Sequence, residues 1–354
     1  MENYLINRKQ YVEIDGLNSD MLNLTTGVPQ GSILGPLLFI IYINDIAHAS
    51  KLFDFTIYAD DTTLSTTLEV VISISTDLTI SDIINNELTM VNTWLKLNKL
   101  SLNVKKSKYM MFHSKKKKNI QNLNLKFDDD IIERVGEFNF LGLTLDEHLT
   151  WKCHINKISN KISQCMGILN RLKRFLPIQT KVLIYNSLVL SHINFGILIW
   201  GFHCEKVAKL QKKVIRMLSL SKYNAHIEPL FKNLKLLKIN DILKLQELKF
   251  YNKYKNNKLP YYLQSLPFFP NTETHDYATR IQYNIHQPIV KHTFAKNCLR
   301  FDIPKIVNNT PNCILDKIHT DSLQGFSGYI KAHILQSYQK HCSITNCYIC
   351  SRNA

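Results

Sequence analysis

The sequence predicts an α+β fold in which strands and helices are segregated along the chain. Three observations predict it. The first 145 residues hold short runs of alternating apolar and polar side chains, punctuated by Gly, Pro, Asn and Asp. Beyond residue 146 the apolar residues recur at steps of three and four, the period of a helix. The chain has 354 residues, 45% hydrophobic and 20% charged, which supports packed cores and excludes a disordered polymer. That length suggests two or three domains. The expected divisions are 1–145, an antiparallel sheet with helices; 146–222, all helical; and 223–354, a basic and mostly helical extension.

In the first region, Glu13–Gly16 reads as a strand end and a turn. Thr25–Ile46 is a Gly- and Pro-punctuated loop feeding an apolar helix, which Ser32 can cap, Pro36 can enter in its first turn, and Asn44–Asp45 closes. A hairpin comes next. Phe53, Phe55 and Ile57 alternate on one face, Ala59–Thr62 is expected to turn, and Thr63–Thr67 to return. Ile80, Ile83, Ile84, Leu88, Val91, Trp94 and Leu95 mark an amphipathic helix. Leu100–Ser114 reads as a turn and a strand. Lys115–Lys118 is expected at a solvated hairpin tip, with phosphate contact as the alternative. Phe138–Asp146 alternates around a glycine and predicts a second tight hairpin.

In the helical half, Ile155, Ile158, Ile162, Met166, Leu169, Leu172 and Phe175 form one apolar stripe ended by Pro177. No Asp or Glu occurs between Glu147 and Glu205, while Lys152, Lys157, Lys161, Arg171, Lys173, Arg174 and Lys181 accumulate. An ordinary surface mixes both signs, so this one-sided charge points to nucleic acid. Val182–Phe202 is long enough to cross a membrane, but Asn186, Ser187, Ser191, His192 and Asn194 interrupt it, and buried core helices are expected instead. Glu205–Lys258 continues helical and basic. A Pro-rich, linker-like stretch occupies 259–276, and weak helical patterns complete the chain. Trp94, Trp151 and Trp200 sit in apolar contexts and are expected in cores.

The net charge of +16 and pI near 9.3 suit a polyanionic partner, although codon bias toward Lys, Asn and Ile can also produce a basic chain. The N-terminus has no apolar segment of the signal-peptide kind, and the eight cysteines are irregularly spaced. An intracellular chain with reduced thiols, in nucleus and/or cytoplasm, is expected. Cys347 and Cys350 have the spacing of half a zinc knuckle, with only His341 or Cys342 as cramped partners, so zinc and free thiols both stay open.

The hairpin carries the chemistry. Asp60 and Asp61 repel each other and fit poorly in a strand. A tight turn lets adjacent carboxylates approach one site, where hard oxygen ligands suit Mg²⁺ and a pair of ions can hold both oxygens of a phosphoryl transfer. An acidic turn with no duty is the competing reading.

"YADD" at Tyr58–Asp61 and "GVPQGSILGPLLFIIYINDI" at Gly27–Ile46 resemble the palm of reverse transcriptases from non-LTR (LINE-type, jockey-like) retrotransposons. "YLINRKQYV" at 4–12, "WLKLNKLSLNVKKSKYMMF" at 94–112 and "FNFLGLTLDEHLTWKCHI" at 138–155 occur in that family's order. "RLKRFLP", "IYNSLVLSHINFGILIWG" and "LQKKVIRML" resemble its thumb and connection, and "HDYATR" at 275–280 its C-terminal extension. The resemblance covers nearly the whole chain. It implies a partial polymerase palm, an all-α thumb and a helical C-terminal extension.

The resemblance further implies RNA-directed DNA synthesis with two Mg²⁺ ions held by Asp60 and Asp61. Pro29, Gln30 and Gly31 would contact the incoming nucleotide and template, and Tyr58 would pack near the primer end. Lys106 would approach the pyrophosphate leaving group, and Phe140, Leu141 and Gly142 would grip the primer. By residue type alone, Lys106 is one lysine among many, and Phe140 and Leu141 read as core. The implied partners are an RNA template, a DNA primer and deoxynucleoside triphosphates, with no membrane; oligomeric state stays open. The family's palm carries a further Asp upstream of the Gly-Val-Pro-Gln-Gly loop, and Asp15 and Asp20 lie in the wrong surroundings to replace it. The expectation is therefore a polymerase fragment inactive alone. The alternative is a non-catalytic remnant that binds RNA or an RNA–DNA hybrid.

Overall fold

The computed structural model describes residues 2–339, apart from 26, 30, 75–77, 118–119, 275–279, 291–292 and 321. It is mixed helix and sheet, and the chain forms two compact units, Met1–Gly136 and Glu137–Ala354.

In the first unit, strands β1 (Arg8–Gln10) and β2 (Leu22–Leu24) pair antiparallel. Between them a small hairpin turns at Asp15 (φ 51°) and Gly16 (φ 80°), so Asp15 is a turn residue. Helix α1 (Leu34–Ile43) starts where expected: Ser32 Oγ accepts from Gly35 N at 3.1 Å, and Pro36 lies in the first turn, where its missing N–H costs nothing. The antiparallel pair β3 (Asp54–Tyr58) and β4 (Asp61–Ser65) comes after it. Helix α2 (Ile80–Leu97) is capped by Thr79, whose hydroxyl accepts from Asp82 N at 3.2 Å. Its predicted stripe is the core face: Ile83, Ile84, Leu88, Val91 and Leu95 are buried, and Ile80 and Trp94 pack at the margin. Leu125, Phe127, Ile132, Ile43, Ile46 and Leu52 complete that core.

Two expectations here need correction. Within Leu100–Ser114 the strand shrinks to Lys108–Tyr109, which pairs parallel with Glu133–Arg134. Lys115–Lys117 are exposed, but among the described residues no ladder flanks them to make the expected hairpin; Lys118 lies outside the described residues. A two-residue parallel pairing is set by a segment 25 residues away, which no local pattern records.

The second unit opens with the predicted tight hairpin, β5 (Glu137–Phe140) and β6 (Leu143–Asp146). Helix α3 (Lys152–Leu172) buries Ile155, Ile158, Ile162, Cys165 and Leu169. The stripe ends there: Leu172, the last helical residue, and Phe175, beyond the helix, are exposed. Tyr185, Val189, Ile193, Ile197 and Trp200 are fully buried, as expected of core segments. Among the described residues no single helix is long and apolar enough to cross a membrane; Ile178–Asn194 and Ile197–His203 meet at 53°.

Helices α4 (Glu205–Leu218), α5 (Ile239–Lys255), α6 (Leu299–Asn308) and α7 (Leu323–Ser337) pack onto the same core. Buried Gln211 joins them: its amide donates to the Tyr185 hydroxyl at 2.8 Å and the Leu237 carbonyl at 3.0 Å, and accepts from Ile239 N. The linker-like stretch is no linker. Phe268 is buried against Tyr254, ring centroids 5.0 Å apart, and Leu263 and Leu266 pack on the core. The cysteine-rich tail lies outside the described residues.

Candidate active site

Tyr58 pairs directly with Asp61, leaving a two-residue connection, Ala59–Asp60. The turn is tighter than the sequence suggests, and Thr62 already belongs to the strand. Period-two alternation sorts the faces. Phe55, Ile57 and Leu64 pack on the core, so Tyr58 and Asp61 share the opposite, exposed face. Asp60 sits at the apex. Ala59 holds φ 52°, a left-handed conformation that costs an L-residue roughly 1–2 kcal/mol. Both carboxylates are exposed, and neither has an ion-pair or hydrogen-bond partner among the described residues.

The glycine loop before α1 is held from behind. Gly27 and Gly31 take φ 77° and 78°, which only glycine adopts freely. Arg8 donates to the Gly27 carbonyl, and the Tyr4 hydroxyl donates to Ser32 Oγ. Ser32 N donates to the Pro29 carbonyl at 3.3 Å. Pro29 and Gly31 are therefore exposed residues on an anchored frame, while Gln30 lies outside the described residues. Sequence reasoning missed Tyr4 and Arg8 as positioning residues, because nothing in their type announces a partner some twenty residues away.

Lys106 occupies an exposed turn, its N–H donating to the Asn103 carbonyl at 3.1 Å. Among the described residues no hydrogen bond ties this turn, or the glycine loop, to the acidic hairpin. Loop helix and hairpin share a core instead: Phe39 and Ile43 of α1, like Phe55, Ile57 and Leu64, pack into it.

In the second unit, Leu141 (φ 46°) and Gly142 (φ 86°) form the turn of the β5–β6 hairpin. Two left-handed residues suit the strand twist, but leucine pays for the conformation where Asn or Gly would not. A Cβ on Gly142 would lie 3.1 Å from the Phe195 ring, and one on Gly196 would meet Leu143, so hairpin and helix bend interlock through two glycines. Phe140 is half-buried and Leu141 is 37% exposed.

Asp146 anchors the turn that leads from β6 into α3. Its buried carboxylate accepts from Thr150 N at 3.0 Å, Trp151 N at 2.9 Å, His148 N at 3.2 Å and the Thr150 hydroxyl at 3.1 Å. Burial works to raise its pKa, yet these bonds outweigh burial and hold it below the usual carboxylate range. On α3, Lys157, Lys161, Gln164, Ile168 and Arg171 succeed one another at steps of four and three and are all exposed, a stripe away from the core that carries three cations and no anion. Lys152 and Arg174 are exposed beside it and Lys173 half-buried, whereas Lys181 is buried and leaves the surface count. His154 lies behind, buried, accepting from Thr144 N at 3.2 Å; burial, then Lys157 and Lys161, lower its pKa.

Residues 2–145 match the family described as reverse transcriptase (RNA-dependent DNA polymerase). That segment belongs to the reverse transcriptase family. It contains the YADD hairpin, the glycine loop, Lys106 and the Leu141–Gly142 turn. The chain is also similar to the RNA-directed DNA polymerase from mobile element jockey of Drosophila melanogaster, 24% identical over 262 residues, 70% of this chain and 27% of the relative. The jockey polymerase of Drosophila funebris is 25% identical over 249 residues, 66% of this chain and 26% of that protein. The probable RNA-directed DNA polymerase from transposon X-element of Drosophila melanogaster is 22% identical over 268 residues, 73% of this chain and 29% of the relative. The chain thus spans about a quarter of the length of these relatives. No solved structure matches it. Reverse transcriptases use divalent metal ions. The donor chemistry here fits one: two adjacent, exposed carboxylates with no cation of the protein's own to neutralise them among the described residues.

Proposed function

We propose that this chain is the part of a retrotransposon RNA-directed DNA polymerase that carries the metal-binding carboxylate pair, the nucleotide loop and the thumb. The observation that carries the reading is the uncompensated Asp60–Asp61 pair on a strained, exposed hairpin within the segment that matches the family. Asp60 and Asp61 would hold Mg²⁺, which when bound stabilises the charge developing on the transferring phosphoryl group. Gly27, Val28, Pro29 and Gly31 are exposed and open to a nucleotide, and the anchors Tyr4 and Arg8 keep them placed. Lys106 would lend charge, or a proton, at the leaving pyrophosphate, and Tyr58 a ring at the primer end. Phe140–Gly142 would bear on the primer strand, and the α3 stripe of Lys157, Lys161 and Arg171, with Lys152, Lys173 and Arg174 beside it, on the backbone of the template–primer duplex. Template RNA, DNA primer and deoxynucleoside triphosphates are the partners of this reading. Nucleus and/or cytoplasm is the location this reading carries with it.

The test is calorimetric titration of the full chain with Mg²⁺. Uptake should vanish in Asp60→Asn with Asp61→Asn while melting stays unchanged; uptake that survives the double substitution sinks the reading. A second reading, hybrid binding without chemistry, is favoured by the continuous stripe on α3. It requires hybrid affinity to persist in Asp60→Ala and no primer extension on an RNA template by the parent.

A further inference from the structure

The second unit carries a surface to which the reading above assigns no role. Helix α5 ends at Lys255, and the chain turns through Asn257 (φ 52°) into the short helix Tyr261–Gln264. This tip is firmly built. Lys258 N donates to the Lys253 carbonyl at 2.8 Å, the Gln264 amide to the Tyr254 carbonyl at 2.7 Å, and the Tyr254 hydroxyl to the Leu266 carbonyl at 3.0 Å. Asn256 ties the base down through the Ile318 carbonyl at 3.0 Å. Yet Tyr261 is 90% exposed and Tyr262 70% exposed, beside a core that buries Phe268 a few residues later. Two adjacent rings left in water on an ordered turn forgo apolar burial that folding could have used.

The charge around them has one sign. Lys253, Lys255 and Lys258 are exposed on the same tip. From residue 242 to 272 the sequence holds one carboxylate, Glu247. It is buried, and burial with the charge of Asp302 pushes it up to about 9, so it is neutral at pH 7 and offsets none of the lysines. The adjoining segment at Ile318 adds Asp316 and Lys317, which cancel. Aromatic faces among lysines, with no anion between them, match a polymer of unpaired bases on a phosphate backbone. RNA is the nucleic acid that presents unpaired bases without prior unwinding.

We propose that the Lys253–Tyr262 tip is a docking site for single-stranded RNA, on which Tyr261 and Tyr262 stack against bases while the lysines track the phosphates. The proposal rests on the nucleic-acid reading above but on none of its residues. The test titrates the full chain with a fluorescent single-stranded RNA and with an RNA duplex of equal length. In Tyr261→Ala with Tyr262→Ala, single-strand affinity should fall by roughly 30-fold or more, with duplex affinity unchanged. Tyr261→Phe with Tyr262→Phe should keep both affinities. Unchanged single-strand affinity in an Ala variant that melts like the parent overturns the proposal, as does an equal loss on duplex. A parent that binds neither RNA nor an RNA–DNA hybrid removes the underlying reading as well.

Discussion

Asp146 and Glu247 are both buried carboxylates, and their surroundings send them opposite ways. Hydrogen bonds keep Asp146 ionised below its ordinary range despite its burial. Its stability contribution is full above the unfolded value near 3.9 and is lost as pH falls through the lower folded value. Asp146→Ala should therefore lower stability by about 3 kcal/mol at pH 7, and by less near pH 3, read by thermal melting. Glu247 is buried beside Asp302, whose charge and hydrogen bond add to the effect of burial, so it stays protonated in the fold up to about pH 9. The unfolded chain ionises it near pH 4.3, so its burial destabilises increasingly as pH rises from there toward 9. Glu247→Gln should raise the melting temperature at pH 8 and change it little at pH 4. Neither role was legible in the sequence: an aspartate ahead of a helix and a glutamate inside one look ordinary until tertiary contacts assign their neighbours. The turn at Asp60 and Asp61 was legible as a turn, because two adjacent carboxylates in an alternating run are a local signal.

The two hairpins differ in how well their turns suit their residues. Ala59 and Leu141 hold left-handed conformations that glycine would take without cost, and Gly142 holds one in which a side chain would also strike Phe195. Leu141→Gly should stabilise the fold by about 1 kcal/mol and Gly142→Ala destabilise it by more than that. Equilibrium urea unfolding of the two variants checks the signs. Ala59→Gly should likewise stabilise the first unit, but with a freer acidic apex and weaker Mg²⁺ uptake in calorimetric titration. Both hairpins were legible from alternation and a central glycine or acidic pair, and α2 and α3 from their apolar stripes, because those signals are local. The parallel pairing of Lys108–Tyr109 and the true end of the α3 stripe were not, since each depends on packing from elsewhere in the chain.

The whole molecule carries a net charge of +16, and the structure places part of it in two separate arrays, the α3 stripe and the Lys253–Lys258 tip. Affinity for an RNA–DNA hybrid should fall steeply with salt, by up to about 0.9 log units per log unit of salt for each phosphate neutralised. Replacing Lys157, Lys161 and Arg171 with Ala should flatten that slope by about 2 to 3, as measured by fluorescence anisotropy across salt concentrations; an unchanged slope would place the duplex elsewhere. The one-sided charge was readable from composition, whereas the Pro-rich stretch at 259–276 misled, because prolines that punctuate a linker also punctuate short packed helices. The tethering of Gly27 and Ser32 by Arg8 and Tyr4 has a practical side. A preparation trimmed past Arg8 would lose both braces of the glycine loop, and weak nucleotide binding by it would report the trimming rather than the protein.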